Sequence, residues 1–459
     1  MSAPGTIQEP EARALDVALS PSEMGPRLVE ALGTALVFTE DHARPTRAPA
    51  CQILDVKYSP GARCTILYQV GRHMVLGTLG WRSGSQPHSG DSVTVPELGM
   101  EVRVFPDDPA LPGLAAALDE RHMMALLNDG LAEYRARDER VVHVRAEPIR
   151  YRPDRRCTVR LDLWVRGPGG AVERRRMFGK VYHDLDKATS VFDEMATMAR
   201  LEAVRTGGFS VVAPAGFLPD IPMVLQEPAR GISLERFLPG PEGRFAKLDP
   251  RGRDGLTRAA GALAALHGSG FVSDRIRPVS SELKKMGRRA ESVGLASPLV
   301  ADGMERLLDE LSARLESLSG WGARDTVVHG DCKASQFLMD GDTVTLLDFD
   351  HCGMADPATD VGTFLATFRQ GRIARELKGD GSATQDGWLE ELQMLFLDGY
   401  CAAADQGSDF RARSAWYDAQ ALLRKAQRAF ARSTRSPMPE ALIEEGLAVL
   451  GALPDRRRR

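Results

Sequence analysis

Hydrophobic and polar residues alternate in parts of the first half of the chain and recur at helical spacing in the second half. Residues 160–165 and 174–182 alternate in the manner of two antiparallel strands, and the glycine-rich residues 167–170 join them. Apolar residues recur with helical periodicity in five later segments, at 256–266, 300–318, 388–404, 412–433 and 439–450. The pattern therefore predicts an α+β protein with a β-rich first part and a mostly helical second part.

One short sequence pattern occurs twice in the first half of the chain. KYSPGARCT at 57–65 returns as RYRPDRRCT at 150–158, and the dipeptide GT at 77–78 is matched downstream by GK at 179–180. An internal repeat of this kind predicts two related β-rich units. The alternative is coincidence in a chain that is rich in arginine and proline.

The segment around residues 340–342, DGD, predicts a tight β-hairpin whose tip lies near Gly341, because two apolar runs flank this turn sequence. Since a hairpin brings its open ends together, Gln336 and Asp348 should lie side by side, close to Asp331. Two carboxylates and an amide oxygen are ligands that Mg²⁺ accepts, with waters and phosphate oxygens in the remaining positions. The segment thus predicts a magnesium site and phosphoryl transfer.

The spacing of these residues matches that of a kinase catalytic loop. HGD at 329–331 is followed after four residues by Gln336 and, beyond the hairpin, by Asp348. With DPATD at 356–360, the pattern resembles the aminoglycoside phosphotransferase and choline kinase family, in which His-Gly-Asp replaces His-Arg-Asp. Gln336 departs from the usual Asn, a departure that is similar to the bacterial maltokinases and that we interpret as a variant ligand. A lone His-Gly-Asp is usually an ordinary turn. The prediction therefore rests on the combination of HGD with Gln336, Asp348 and DPATD in this order.

The resemblance implies a role for each of these side chains. Asp331 would accept a proton from the acceptor hydroxyl or orient it, and His329 would orient the loop. Gln336 and Asp348 would hold Mg²⁺ on the β- and γ-phosphates of ATP. Lys333 would stabilise the transferring phosphoryl group, and an ordinary surface lysine is the alternative.

Two further acids follow the hairpin. Asp356, with Pro357 behind it, has the pattern of a helix start, where its side chain would cap the helix rather than take part in catalysis. The resemblance implies that Asp360 supports the catalytic loop through backbone hydrogen bonds. His267, at the end of the helix predicted over 256–266, is interpreted as a cap.

A lysine inside a strand of the β-rich part indicates a nucleotide site. Lys180 has the position of the kinase lysine that contacts the α- and β-phosphates and is held by a Glu on the next helix. That helix is predicted over 187–204, and Glu194 is the first candidate for the partner, with Glu202 second. A solvated helix face is the alternative for Glu194.

No GxGxxG motif precedes this lysine, so the loop that covers the phosphates must be built differently. The turn RPDRR at 152–156 has that position, and Arg156 is a candidate ligand because a guanidinium binds phosphate bidentately. Turns rich in arginine are otherwise usually solvated. The strand PMVLQE at 222–227 is the predicted hinge, where backbone groups of Gln226 and Glu227 would bind adenine.

The fold that the resemblance implies is bilobal and protein-kinase-like. Its parts would be a flexible N-terminus at 1–24, an N-terminal cap at 25–140, a β-rich N-lobe with the hinge at 141–230, and a helical C-lobe with the catalytic loop and acceptor site at 231–453. The cap would resemble the N-lobe, and the maltokinases are similar in carrying such a cap. Because Thr78 has the place of Lys180, the cap is expected to be non-catalytic.

The C-terminal helices would build the acceptor pocket in the family that the chain resembles. Candidates to line the pocket are Asp398, Tyr400, Trp416 and Asp418. The basic stripe on the helix at 412–433 is interpreted as a solvated face and consists of Arg424, Lys425, Arg428 and Arg432. An acidic pocket would favour an aminoglycoside, and a neutral aromatic pocket would favour a sugar.

Composition narrows the class of protein. With 459 residues, of which 43% are apolar, the chain can bury more than one core. A formal net charge of -4 gives no general attraction to nucleic acid or to anionic membranes. The six cysteines have neither zinc-site spacing nor a disulfide framework, so reduced thiols are expected. Without a signal sequence or a membrane-spanning apolar run, we expect a soluble cytoplasmic protein.

Together these patterns predict an ATP- and Mg²⁺-dependent kinase that phosphorylates a hydroxyl of a metabolite, a sugar or an aminoglycoside-like acceptor. Its partner would be this small molecule, with no nucleic acid and no membrane. The acceptor, the choice between ATP and GTP, and the oligomeric state stay open. The alternative is a catalytically inactive kinase-fold module that binds a partner protein, which the missing glycine-rich loop and Gln336 would favour.

Overall fold

A computed structural model describes residues 9–33, 36, 50–81, 92–131, 136–239, 248, 250–319, 325–379 and 387–453 of the chain. The chain divides into two compact units. The first, here called the β-unit, comprises Met1–Asp193, Pro214–Pro228 and Ala431–Ser433, and the second, the helical unit, comprises Glu194–Ala213, Ala229–Phe430 and Thr434–Arg459. The predicted α+β class, with a β-rich and a mostly helical part, is confirmed; the four domain boundaries given above stay predictions.

The β-unit contains two sheets of five strands. The first sheet consists of β1 (Cys51–Ser59), β2 (Arg63–Val70), β3 (His73–Gly80), β4 (Val93–Val95) and β5 (Met100–Val104), in the order β1-β2-β3-β5-β4. The second consists of β6 (Arg140–Arg152), β7 (Arg156–Arg166), β8 (Val172–Tyr182), β10 (Pro214–Leu218) and β11 (Met223–Gln226), in the order β10-β11-β8-β7-β6. Read from β6, the second sheet has the order β6-β7-β8-β11-β10. In both sheets the first three strands are neighbours in sequence order, and the fifth strand lies between the third and the fourth.

The residues of the sequence repeat have matching positions in the two sheets. Tyr58 pairs with Cys64 in the first hairpin, and Tyr151 pairs with Cys157 in the second. On the next strand, Thr65 is paired with Thr78 as Thr158 is with Lys180. The repeat is therefore structural as well as sequential, with threonine in place of lysine in the first copy.

The turn of the first hairpin binds a buried carboxylate. Oε1 of Glu11, on helix α1 (Glu9–Ala18), accepts hydrogen bonds from the Tyr58 hydroxyl and the Gly61 amide, both at 2.9 Å. Gly61 has a φ of 65°, a conformation that glycine adopts without strain. Residues 1–24 were expected to be flexible, which is wrong for residues 9–18 because α1 packs on this hairpin; residues 1–8 lie outside the described residues. A second helix, α2 (Pro21–Leu32), follows.

The turn of the second hairpin repeats this arrangement with Asp108. Oδ2 of Asp108 accepts from the Tyr151 hydroxyl at 2.8 Å and from the Asp154 amide at 3.1 Å. Asp154 has a φ of 61°, close to that of Gly61 in the first turn. Its carboxylate binds Arg63 at 2.6 Å and lies 3.8 Å from Lys57, so the second turn is tied to the first hairpin.

Apolar packing orients the second sheet. Helices α3 (Leu114–Leu118) and α4 (Glu120–Gly130) cover one face, and their side chains share a core with that face of the sheet. Met177 and Val181 of β8 belong to this core. Because side chains alternate along a strand, Lys180 belongs to the opposite face of the sheet.

Two helices follow β8. They are α5 (Leu185–Met198) and α6 (Glu202–Arg205). A single helix over 187–204 was expected, and its C-terminal part is wrong, because the helix ends at Met198 and a turn separates it from Glu202. Glu202 is exposed and pairs with Arg205 at 3.3 Å.

Long helices make up most of the helical unit. They are α7 (Pro250–His267), α8 (Val279–Gly294), α9 (Pro298–Ser319), α10 (Ala358–Glu376), α11 (Trp388–Ala403), α12 (Ser408–Arg432) and α13 (Met438–Gly451). No described helix has both the length and the apolar composition needed to cross a membrane. All six cysteines are free thiols in this structure.

Short strands complete the helical unit. β12 (Ile232–Ser233), β14 (Phe337–Asp340), β15 (Thr343–Leu346) and β9 (Ser210–Val211) form one small sheet in that order, and β13 (Thr326–Val328) pairs with β16 (Gly353–Ala355). The ring of Phe337 packs against Phe364 of α10, which is stacked on Phe396 of α11 with the centroids 3.7 Å apart. This aromatic stack fixes the β14–β15 hairpin on the helices.

Candidate functional site

The β14–β15 hairpin forms as its turn sequence predicts. Asp340 pairs with Thr343, which leaves a two-residue turn with Gly341 at a φ of 54°. Pairing at the other end brings Gln336 next to Asp348, whose Oδ2 lies 3.4 Å from Nε2 of Gln336. The amide and the carboxylate therefore meet at the open end of the hairpin.

Asp348 has an uncommon backbone conformation. Its φ of 65° and ψ of 63° are left-handed, which residues other than glycine seldom adopt and which is costly unless the surroundings enforce it. A 3₁₀ turn, Phe349–His351, starts directly after it. Strained residues of this kind cluster at functional sites, so the backbone of Asp348 agrees with the role that its spacing in the sequence predicts.

The HGD loop is anchored on the same end of the hairpin. Nε2 of His329 lies 2.7 Å from the Leu347 carbonyl oxygen, and the Asp331 amide donates to Nδ1 of His329 at 3.4 Å. A Cβ at Gly330 would lie 2.1 Å from the carbonyl oxygen of His351, and Gly330 has a φ of 79°. Only glycine therefore allows the loop to approach so closely, and His329 orients the loop through Leu347.

Asp360 binds the backbone of the HGD loop. Its carboxylate is fully buried and accepts from the His329 amide at 2.6 Å and from the Gly330 amide at 2.8 Å. Nε2 of His267 lies 3.0 Å from the same carboxylate, and Nδ1 of His267 lies 2.6 Å from the Tyr400 hydroxyl. His267 was expected to be a helix cap, which is wrong, since both of its ring nitrogens have side-chain partners in this buried network.

The charges around Asp331 keep its carboxylate ionised. Burial alone would raise its pKa, but Lys333, whose Nζ lies 2.6 Å from Oδ2, outweighs this effect together with His351 and His329. The net result is a pKa below the ordinary value for aspartate. The pKa of Asp360 is also lowered, because hydrogen bonds from His267 and from the Gly330 amide outweigh its burial. Both carboxylates are therefore anionic at neutral pH.

Asp356 contacts the start of α10, as predicted. Its Oδ1 accepts from the Ala358 amide at 2.9 Å, in the first turn of the helix. The sequence pattern did not indicate that its Oδ2 also forms a buried ion pair with Nε of Arg413 at 2.8 Å. Asp356 therefore joins α10 to α12 and takes no part in the hairpin site.

The residues present fit a magnesium ion. Gln336 and Asp348 supply hard oxygen ligands side by side, and Mg²⁺ is usually held by one or two carboxylates, with phosphate oxygens and waters in the other positions. Turning the Gln336 amide over exchanges Nε2 for Oε1 at the position beside Asp348. Among the described residues, no three His, Cys, Asp or Glu side chains are grouped to hold a metal. The protein would therefore supply few of the ligands.

Glu194 has a partner that the sequence analysis did not identify. Its Oε1 accepts from the Ser273 hydroxyl at 3.2 Å and from Nε of Arg275 at 3.1 Å, and Nη2 of Arg275 binds its Oε2. Arg275 also donates to the Asp350 carbonyl at 2.8 Å. The guanidinium thus connects α5 to the turn that follows Asp348. No motif marks Arg275, and Glu194 lies 81 positions away in the sequence.

The remaining predicted nucleotide ligands lie in the β-unit. Lys180 is in β8, where it pairs with Val224 of β11, and Arg156 is the first residue of β7. Gln226 is the last residue of β11, and Glu227 follows it in an exposed position. Their roles as ligands stay predictions.

Three of the four candidates for an acceptor pocket are wrong. Tyr400, Trp416 and Asp418 are buried, and each has a partner inside the helical unit: His267, the Leu311 carbonyl and Arg369, respectively. Burial raises the pKa of Asp418 to about 6, although Arg369 opposes this. Asp398 is exposed and pairs with Arg411 at 2.7 Å. Tyr400, Trp416 and Asp418 lie on the faces of α11 and α12 that are packed into the core.

Comparison with protein families agrees with the loop geometry. A family model described as the phosphotransferase enzyme family, APH, matches residues 164–395, which is half of the chain. The chain belongs to this phosphotransferase family. The match includes the HGD loop, Gln336, Asp348 and Asp360, so the arrangement described above lies inside the region that defines the family. No curated protein sequence matches the phosphotransferase chain.

Several solved structures are similar to this phosphotransferase. A choline/ethanolamine kinase family protein from Mesorhizobium loti is 16% identical, covers 65% of this chain and 87% of its own, and has a TM-score of 0.43. The choline kinase LicA from Streptococcus pneumoniae is 12% identical, covers 72% and 100%, and has a TM-score of 0.46. A choline kinase from Cryptosporidium parvum is 9% identical, covers 72% and 94%, and has a TM-score of 0.47.

Proposed function

We propose that the chain is an ATP- and Mg²⁺-dependent kinase that transfers the γ-phosphate to a hydroxyl of a small-molecule acceptor. The observation that carries the proposal is the ionised carboxylate of Asp331. Asp331 lies on a loop that His329 and Asp360 anchor at the open end of the hairpin, where Gln336 meets Asp348. Family membership supports phosphoryl transfer as the reaction class.

Asp331 is assigned to the acceptor hydroxyl. Lys333 binds Oδ2, so Oδ1 is the oxygen that we assign to the hydroxyl hydrogen. The hydroxyl oxygen forms a bond to the γ-phosphorus while the bond from that phosphorus to its bridging oxygen breaks, and the hydroxyl proton passes to Asp331. A carboxylate of lowered pKa is a weak base, so its main contribution before transfer is to orient the hydroxyl.

The remaining predicted site residues are assigned to binding the phosphates of ATP and their magnesium ion. Gln336 and Asp348 would hold Mg²⁺, which neutralises charge on the phosphate oxygens when it is bound. Lys180 is the predicted ligand of the α- and β-phosphates, and Arg156 that of the phosphate-covering turn. Lys333 pairs with Asp331, and we assign to it the neutralisation of charge on the transferring group.

The test is ADP formation from ATP and Mg²⁺ over a panel of hydroxylated acceptors. Asp331→Asn removes the charge without changing the shape and is expected to lower kcat by about 100-fold or more. Asp342→Asn, at the exposed tip of the same hairpin, is the matched control and should leave kcat unchanged. The kinase proposal fails if no acceptor yields ADP and ATP with Mg²⁺ does not raise Tm. That result would favour the inactive binding module.

A further inference from the structure

Several positively charged side chains of the helical unit lie close enough to one another to influence each other's pKa values, and Asp331 influences the pKa of one of them. We call these residues the basic cluster: Arg277, Lys333, Arg424, Lys425 and Arg428. The last three were expected to form a solvated face together with Arg432. For Arg424 and Lys425 this is wrong, since both are partly buried.

Lys425 is held by neutral groups. Its Nζ donates to Oε1 of Gln370 at 2.9 Å and to Oγ1 of Thr367 at 3.3 Å, both on α10. Within the part of the chain that the structure describes, no carboxylate pairs with it. Burial lowers the pKa of Lys425 to about 8, and the charge of Arg428 adds to this effect. A partly buried ammonium without a carboxylate is costly, and an anion bound beside it would offset that cost.

Arg424, one residue earlier on α12, is similarly placed. Its Nη2 donates to Oε1 of Gln420 at 3.2 Å, whereas its buried Nε has no hydrogen-bond partner among the described residues. Burial lowers its pKa to about 10, with Arg277 and Arg428 contributing, and Glu282 opposes the shift. Glu282 is itself bound to Lys285 at 2.9 Å. The acid that opposes the shift of the Arg424 pKa is therefore already paired with a lysine.

The cluster lies within electrostatic range of the proposed base. The charge of Asp331 raises the pKa of Lys425, while the charges of Lys333 and Arg424 lower it. The charges of these three residues therefore act on Lys425. Arg277 donates to the His351 carbonyl at 3.2 Å, and its Nη1 lies 2.4 Å from the position that a Cβ of Gly330 would have. The cluster thus extends from the HGD loop to α12.

The positive charge of the basic cluster favours some classes of acceptor over others. A polycationic acceptor such as an aminoglycoside would meet like charges beside Asp331, which costs binding energy. A molecule that carries a carboxylate or a phosphate in addition to its hydroxyl would bind the ammonium of Lys425 and the guanidinium of Arg424 through charge-assisted hydrogen bonds. The arrangement is therefore complementary to an anion.

We propose that the acceptor is a hydroxylated anion whose negative group binds Lys425 and Arg424 while its hydroxyl reaches Asp331. This inference rests on the kinase function proposed above and specifies the class of its acceptor. The anionic group is a carboxylate or a phosphate, which share this chemistry.

Binding measured without nucleotide tests the inference separately from turnover. Isothermal titration with glucose, glucosamine, glucuronate and glucose phosphate varies the charge on one sugar ring, and glycerol, glycerate and glycerol phosphate do the same on a smaller scaffold. The two acids of each set are expected to bind about tenfold or more tightly than their neutral member, and glucosamine is expected to bind more weakly than glucose. The difference between carboxylate and phosphate identifies the anionic group.

Variants test whether Lys425 causes the preference for anionic ligands. Lys425→Gln should weaken binding of the acids about tenfold and leave the neutral members unchanged, whereas Lys425→Arg should retain the preference. Lys284→Gln, an exposed lysine on α8, is the control and should bind like the parent. The inference is overturned if no acid in either set binds more tightly than its neutral member, or if Lys425→Gln weakens both equally. Absence of ADP formation together with no effect of ATP and Mg²⁺ on Tm would, by contrast, contradict the kinase proposal.

Discussion

Replacing Asp360 tests whether a buried carboxylate shapes the HGD loop. Its two oxygens accept from the His329 and Gly330 amides, at 2.6 Å and 2.8 Å, and one of them lies 3.0 Å from His267. Asp360→Ala removes every acceptor at once. Asp360→Asn keeps the shape and one carbonyl oxygen, but its NH₂ group faces the other amide.

The magnitude follows from the donors that lose their partner. A buried N–H without a partner costs about 1–3 kcal/mol, so Asp360→Ala should lower the free energy of unfolding by about 2–6 kcal/mol. Asp360→Asn leaves one amide unsatisfied and should cost about 1–3 kcal/mol. Replacing a buried ion can be neutral when its partners are replaced too, but here the amides stay.

Urea unfolding followed by far-UV circular dichroism reports the helical unit, which contains most of the helix. Asp342→Asn, which is exposed on the hairpin, is the control and should stay within about 0.5 kcal/mol of the parent. An Asp360→Ala variant as stable as this control, or an Asp360→Asn variant less stable than Asp360→Ala, would contradict this role of the carboxylate.

The same variants predict a pH dependence. Because the folded state lowers the pKa of Asp360, this carboxylate contributes stability above its unfolded pKa, near 4. The contribution is lost as the pH falls through the lower folded pKa. Asp360→Asn should therefore reduce the loss of stability in acid, measured as Tm against pH, and an unchanged acid limb would contradict the lowered pKa.

Three further predictions concern other parts of the chain. Arg275→Lys keeps the charge but cannot span both Glu194 and the Asp350 carbonyl, so we expect a loss of about 1–2 kcal/mol in urea unfolding; a loss below that of an exposed Arg→Lys variant would contradict the bridge. Asp154→Val and Asp154→Gly both lose the ion pair with Arg63, but only valine keeps a branched side chain at a left-handed residue, so the valine variant should be less stable by about 1–2 kcal/mol; equal Tm values for the two would refute this explanation. For an anionic acceptor, kcat/KM should fall as the pH rises through about 8, where Lys425 loses its charge, and Lys425→Arg should shift this fall to higher pH.

Local interactions determined the features that the sequence predicted correctly. The DGD turn between apolar runs is sufficient to specify the β14–β15 hairpin, and its two-residue length places Gln336 beside Asp348. The repeated KYSPGARCT pattern gives both sheets the same hairpin register, since each pattern contains its own turn. Periodicity located α9, α11, α12 and α13 to within a few residues, because one apolar face recurs along each, whereas α7 begins at Pro250, well before the predicted residue 256.

Tertiary structure alone decided which distant groups meet. His267 binds Asp360 across 93 positions, and Lys425 meets Thr367 across 58. Many acids and amides in the chain have suitable chemistry, so composition and spacing do not choose among them. Burial makes the choice, because a charge or amide removed from water needs a partner and only the packed helices bring that partner within reach. The sequence therefore specified the loop that carries Asp331, whereas the packing of α10 and α12 decided the charge of its surroundings.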